Sequence, residues 1–262
     1  MNRCNICLDK KCSHKECNCS TCKNISVCNK YLYPTIRLTT KCTQSCSHCC
    51  FDCSPNKSDF MSVKTAKVLI QFLKNNEIMS CNLMGGEFFL NPDWKEILDL
   101  ILPEMVASRL VTNGDWVEDN SVIEFLAKYK EILKVSISKD RWHTNKNVDK
   151  AAELCEKNGI EWNFPIKEEN SEESVVPSGR GFYTYGFYSV FGCYCHNPAH
   201  CYSFLIDEQG DIFKCSFGYL NYANIFEYEK GSFDKRFKEF NLKFYDAFIS
   251  NCARCIEANE RE

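Results

Sequence analysis

The chain has 262 residues, 44% of them hydrophobic, and a formal charge of −3. That is enough apolar material for one large domain without cross-links, and too little positive charge for a protein that grips nucleic acid by bulk electrostatics. No run reaches 18 apolar residues, and Met1-Asn2-Arg3-Cys4 does not begin a secretion signal, so no membrane span is expected and a reducing cytoplasm is.

In such a compartment the twenty cysteines read as metal or iron–sulfur ligands rather than disulfides. Seven fall in residues 1–30 (Cys4, Cys7, Cys12, Cys17, Cys19, Cys22, Cys28), five in residues 42–53 and six in residues 193–255. Cys81 and Cys155 stand alone and read as small buried hydrophobes. The first segment carries six basic residues against two acidic ones, a balance of +4. Its cysteines and His14 suffice for one [4Fe–4S] cluster or one zinc, and its charge suits either an acidic peptide or plain solvation.

Between the cysteine groups strands and helices alternate, which favours a parallel α/β sheet. Tyr33 to Thr39 reads as a strand. Val63, Ala66, Leu69, Ile70 and Leu73 recur at helical spacing behind Ser62 as N-cap. Cys81 to Met84 is a second strand, with a helix from Asn91-Pro92 whose apolar face is Trp94, Ile97, Leu98 and Ile101. Arg109 to Thr112 and Leu133 to Ser138 are further strands, each followed by a helix: one over about 121–129, one with Val148, Ala151, Ala152 and Cys155 on its face and Gly159 at its end. Ile160 to Ile166 is a fifth strand. Five strand–helix steps without a dinucleotide fingerprint predict an α/β fold built as a partial (β/α) barrel. Beyond an acidic loop and Ser178-Gly179-Arg180-Gly181 comes an aromatic run (Phe182, Tyr183, Tyr185, Phe187, Tyr188, Phe191), readable as a peptide groove or as a packed β-ribbon. Tyr202 to Cys215, centred on Gln209-Gly210, reads as a hairpin, and a polar helix over about 233–248 leads to Cys252-x2-Cys255.

Cys42, Cys46 and Cys49 have the spacing C-x3-C-x2-C in the loop after the first strand, where such barrels build their active sites. Three thiolates can bind three irons of a [4Fe–4S] cluster and leave the fourth open, whereas Cys46, Cys49, Cys50 and Cys53 could instead form a zinc knuckle. These residues resemble the radical S-adenosylmethionine (SAM) superfamily, whose signature is this triad with an aromatic or His residue at the place of His48. Met84-Gly85-Gly86-Glu87 resembles that family's GGE motif, Ser136, Ser138 and Asp140 lie in a stretch similar to its Ser-x-Asp element, and Thr112-Asn113-Gly114 ends the third strand as the family's often does. The resemblance covers residues 34–181. It implies SAM chelated at the open iron, with cofactor contacts at Gly85, Gly86, Glu87, Asn113, Ser136, Ser138, Asp140 and Arg180. The family's usual six strands are not all evident, so the back of the barrel is expected to be truncated or remodelled.

Cys201, Cys215, Cys252 and Cys255 resemble a twitch or SPASM extension, which implies an auxiliary [4Fe–4S] cluster; structural zinc is the alternative, and Cys193 or Cys195 could replace Cys201. The organisation expected is thus a Cys-rich segment 1–30 that binds metal or a further cluster, a barrel 31–192 and an auxiliary domain 193–262. The resemblance implies reductive SAM cleavage and hydrogen abstraction from a ribosomally made peptide or a small molecule, with a flavodoxin or ferredoxin as electron donor. Thirty residues before the barrel are too few for a winged-helix leader-binding domain, which counts against the peptide. A glycyl-radical activase and a zinc-stabilised binding module are the other readings, the former disfavoured by the C-terminal cysteines.

Overall fold

The computed structural model describes residues 33–165, 179–185, 203–213, 221–228, 232, 233, 235 and 236. Five parallel strands alternate with helices: β1 (Tyr33–Arg37), α1 (Val63–Asn75), β2 (Ser80–Met84), α2 (Trp94–Ile101), β3 (Ala107–Thr112), α3 (Asn120–Lys128), β4 (Leu133–Ile137), α4 (Val148–Lys157) and β5 (Trp162–Asn163). A short helix, α5 (Gly179–Tyr185), follows, then β6 (Ser203–Ile206), β7 (Asp211–Phe213) and β8 (Asn221–Asn224). The sheet is open, in the order β5-β4-β3-β2-β1-β6-β7-β8.

Alternation along each strand sorts the side chains onto two faces. Ile36, Leu83, Leu110, Val135 and Ile137 join the helices in the main core, together with Ala66, Leu69, Leu98 and Ala151. The opposite, concave face carries polar side chains from Tyr33, Asn82, Arg109 and Ser136. Helix α1 starts where expected, the Ser62 hydroxyl accepting from the Thr65 N–H. Cys81 and Cys155 are fully buried.

The sequence-based expectations fail where tertiary contacts compete with local ones. Helix α2 begins at Trp94 rather than at Pro92. The Asn91 side-chain NH2 donates to the carbonyls of Leu38 and Met61, at 3.1 and 2.9 Å, while its Oδ1 accepts from the Asp93 N–H at 2.9 Å, so the residue closes a turn that precedes the helix. β1 ends at Arg37, and β5 holds only two residues, Ile166 being outside the described residues. The start of the aromatic run is helical, since residues 182–185 lie in α5 rather than in a ribbon. The hairpin forms, Leu205 lying opposite Phe213, but it adds to the other edge of the sheet: β6 runs parallel to β1, with Thr35 beside Leu205. The segments with residues 1–30, Cys193, Cys195, Cys201, Cys215, Cys252 and Cys255 lie outside the described residues.

Candidate active site

The cysteine loop, residues 38–61, is held in place by three chain-distant elements. The end of β2 comes first. The Gly86 N–H donates to the Thr39 carbonyl at 2.8 Å, and the Glu87 N–H donates to the Lys41 carbonyl at 2.9 Å. An added Cβ on Gly86 would lie 1.8 Å from the Lys41 oxygen, so only glycine permits this approach. The second element is α5. Gly179 sits at φ +52° with its Cα against Cys50, where a Cβ would be 2.6 Å from the carbonyl oxygen. Next to it Arg180 donates to the carbonyls of Cys46 (2.8 Å) and Cys53 (2.6 Å) and to the Asp52 carboxylate (2.9 Å). That carboxylate belongs to a residue at φ +53°, an uncommon conformation for a side chain with a Cβ. The third element is the hairpin: Phe51 and Cys53 pack on Leu205, with Phe213 and Met84 alongside.

Beside this loop is a cavity of about 290 Å³ lined by Cys42, Cys46, Cys49, Gly85, Gly86, Asn113, Ser138 and Asp140. Three sequence-predicted positions stand back from it. Glu87 is 2% exposed, and its carboxylate accepts from the Thr112 hydroxyl (2.8 Å) and the Asn113 N–H (2.9 Å). Burial pushes its pKa up to about 7. Ser136 accepts from Arg109 Nε and donates to Asn163, both at 2.7 Å. Arg180 is the clamp just described. The loop after β4 builds the remaining wall. Asp140 accepts from the N–H groups of Trp142 (3.0 Å) and His143 (3.1 Å) and lies 2.7 Å from His143 Nδ1. His48 stacks on Trp142, centroids 4.9 Å apart, with Nε2 3.6 Å from Asp140.

Sequence reasoning missed Gln44, Thr43, Asn82 and Arg109. Gln44 accepts from the Thr144 N–H at 2.8 Å, tying the cysteine loop to the β4 loop. Thr43 receives the Asn113 amide at 2.9 Å and bonds Asp115. Polar residues within otherwise apolar strand patterns were the available signal for Asn82 and Arg109.

The thiols fit an iron–sulfur cluster better than a single zinc. A tetrahedral zinc would gather sulfurs to within about 4 Å of one another. Among the described residues no three thiols lie mutually within 4.8 Å; the one such donor set is His48, Asp140 and His143. Donors already point at two of the sulfurs, the Cys53 N–H at Cys49 (3.3 Å) and the Asn113 amide at Cys42 (3.7 Å). The hydrogen bond from the Cys53 thiol, above all, lowers Cys49 to about 6, whereas burial pushes Cys46 up to about 12 and raises Cys42. Burial thus opposes ionisation of Cys42 and Cys46, and holding all three sulfurs as thiolates in this half-buried site would call for a bound cation to compensate them.

Comparison with known proteins agrees with this geometry. The chain is 33% identical over 109 residues to the antilisterial bacteriocin subtilosin biosynthesis protein AlbA of Bacillus subtilis, covering 42% of this chain and 24% of that protein. It is 32% identical over 114 residues to YydG of the same organism, provisionally named a peptide biosynthesis protein, covering 42% of this chain and 36% of that one. The chain thus spans about a quarter to a third of these relatives. Among solved structures, BtrN in complex with AdoMet and 2-DOIA superimposes with a TM-score of 0.57 at 15% identity, covering 81% of this chain and 87% of that one. AnSMEcpe with bound AdoMet and the Cp18Cys peptide gives 0.54 at 16% identity, covering 80% and 82%; at such identities the likeness is one of fold. The radical SAM superfamily profile matches residues 36–166, half of the chain, from the end of β1 through the cysteine loop to β5, and the chain belongs to that superfamily.

Proposed function

We propose that this protein is a radical SAM enzyme that modifies a ribosomally made peptide. The observation that carries the chemistry is the gathering of Cys42, Cys46 and Cys49 with the ends of β2, β3 and β4 around one cavity. When bound, a [4Fe–4S] cluster supplies the electron that cleaves the SAM sulfonium, and the resulting deoxyadenosyl radical takes a hydrogen atom from the substrate.

The chain's own residues do the positioning. Cys42, Cys46 and Cys49 would hold three irons. Gly85 and Gly86 bring backbone close to the loop and leave room for the SAM amino group. Glu87 braces Thr112 and Asn113 from behind and, being almost fully buried, acts on SAM through them. Ser138 and Asp140 lie at the end of β4 where a ribose or carboxylate would be met, and His48 with Trp142 offers a flat surface for an adenine ring. The peptide substrate is supported by the names of AlbA and YydG. An auxiliary cluster on Cys201, Cys215, Cys252 and Cys255 is supported by the hairpin, since Cys201 and Cys215 each lie two residues beyond its strands in the sequence. A small flavodoxin or ferredoxin would deliver the electron. Among the described residues no helix is long and apolar enough to cross a membrane.

The test is anaerobic reconstitution with iron and sulfide, followed by dithionite-driven deoxyadenosine production. Iron incorporation with SAM cleavage, lost on Cys46→Ala, is expected. Full cleavage by Cys46→Ala, or zinc in place of iron in the wild-type protein, would refute the reading.

A further inference from the structure

The concave face of the sheet carries three strand cations, and two of them are paired. Arg37 reaches Glu208 at 2.7 Å and Asp207 at 3.5 Å. Lys134 reaches Glu161 at 2.6 Å. Arg109, in the middle of the sheet and half-buried, has no carboxylate partner among the described residues: its one hydrogen bond there runs from Nε to the Ser136 hydroxyl. Its two terminal nitrogens remain available, and it lines the cavity.

Arg109 belongs to a polar row laid across the inside of the sheet. Tyr33 donates to Asn82 at 3.1 Å, Asn82 pairs in register with Arg109, Arg109 donates to Ser136, and Ser136 donates to Asn163 at 2.7 Å. The inside of a (β/α) barrel is ordinarily filled by branched apolar side chains, and a row of five polar ones on adjacent strands is costly unless something polar faces it. The row lies below the place for SAM. Arg109 precedes Thr112 by three residues, about 10 Å along the strand, whereas the thiols, Gly86, Asn113 and Ser138 are all at the strand ends. Burial lowers the Arg109 pKa from its ordinary value yet leaves it charged, as a desolvated cation without a near anion should be.

We propose that Arg109, backed by Asn82 and Ser136, is the specificity element for substrate, taking a carboxylate of the peptide in a two-point hydrogen bond from its free guanidinium edge. The inference rests on the radical SAM reading. A planar guanidinium fixed at Nε presents its remaining donors in the fork that matches a carboxylate. Either an acidic side chain or a chain-terminal carboxylate would serve, and the probes below separate them.

Three pentapeptides are titrated into the anaerobically reconstituted full-length protein with SAM, binding being followed by calorimetry. The first is an acetylated and amidated alanine peptide with a central glutamate. The second has glutamine there, and the third is the alanine peptide with a free C-terminal carboxylate. The glutamate peptide, or the free-carboxylate one, is expected to bind at least tenfold more tightly than the glutamine peptide, and whichever does so identifies the source. Arg109→Gln should abolish the preference, while Arg109→Lys should keep only part of it. Wild-type protein that does not distinguish the acidic peptides from the glutamine one overturns the proposal. So does an Arg109→Gln protein that keeps the preference, or one that loses SAM affinity instead. Deoxyadenosine formation by the same wild-type preparation tests the superfamily chemistry separately: its presence beside a failed preference rejects this proposal alone, and its absence rejects the underlying reading.

Discussion

Replacing Arg180 should unlock the cysteine loop. Its guanidinium spans carbonyls seven residues apart in the chain, Cys46 and Cys53, and is 23% exposed in the side chain. A hydrogen bond involving a charged donor contributes about 1.5–3 kcal/mol. Asp52, at 47% side-chain exposure, adds at most about 1 kcal/mol because water screens the pair. Water reaching the freed carbonyls in Arg180→Ala recovers part of the loss, so about 3 kcal/mol of resistance to local opening should disappear. At about 1.36 kcal/mol per factor of ten, that is roughly a hundredfold rise in the open population. The assay is pulsed iodoacetamide labelling of the metal-free protein at pH 7.5, with the peptide containing Cys46 and Cys49 read by mass spectrometry. Cys49, with its pKa lowered to about 6 chiefly by the hydrogen bond from the Cys53 thiol, is ionised at that pH in the wild type; Arg180 adds to the lowering, so its loss cannot speed labelling through ionisation and a faster rate reports access. Arg180→Lys keeps the charge but reaches one carbonyl at a time, and should show about a tenfold rise. Labelling of Arg180→Ala within threefold of wild type, together with weakened SAM binding, would refute the clamp and return Arg180 to the role of a direct cofactor ligand.

Gly86→Ala must push the Lys41 carbonyl away by more than 1 Å, breaking the two backbone bonds that join β2 to the loop; a loss of about 2–4 kcal/mol in denaturant unfolding and failure to retain iron are expected. Glu87 has a folded-state pKa near 7 against 4.5 when exposed, so its contribution is fully present below pH 4.5 and falls away as pH rises to 7, by about 3 kcal/mol. Asp207, raised to about 6 chiefly by burial, slopes the same way from pH 3.8 to 6, and Glu87→Gln should flatten the curve between pH 6 and 7, as followed by urea midpoints. Replacing Cys252 and Cys255 together should remove about four irons per chain and leave the first cluster spectroscopically intact; bound zinc falling instead would make that site structural.

What the sequence disclosed was mostly local. The triad's spacing, the Ser62 cap and the alternation in β2 to β4 are written in neighbouring residues, and so is Gly-Gly at a strand end. The roles of Glu87 and Arg180 could not be read that way, because each is settled by partners more than twenty residues off: Thr112 and Asn113 for one, Cys46 and Cys53 for the other. The placement of β6 was hidden for the same reason. Its four residues carry no mark of which edge they will join, and the choice falls to distant partners: Leu205 packs under Phe51 of the cysteine loop, and Glu208 of the hairpin turn pairs with Arg37 at the end of β1.

That edge bears on the chemistry. Arg37 stands at the C-terminal end of β1, just before the cysteine loop, with its guanidinium 5.6 Å from the centre of the Phe51 ring. Glu208 occupies it from the hairpin turn, and Asp207 accepts from the N–H groups of Gln209 and Asp211 to hold that turn in shape. The hairpin is thereby fastened to the strand that feeds the loop by a bidentate ion pair that is largely shielded from water. Losing Glu208 would leave Arg37 with Asp207 alone at 3.5 Å, so that the hairpin turn would be held to the end of β1 only by the β1–β6 ladder and the packing of Leu205 under Phe51. For a loop proposed to hold three ligands of one cluster, each such fastening limits how far the sulfurs can drift apart. The β1–β6 edge therefore serves the same purpose as Gly86 and Arg180, from the side of the loop that neither of them reaches.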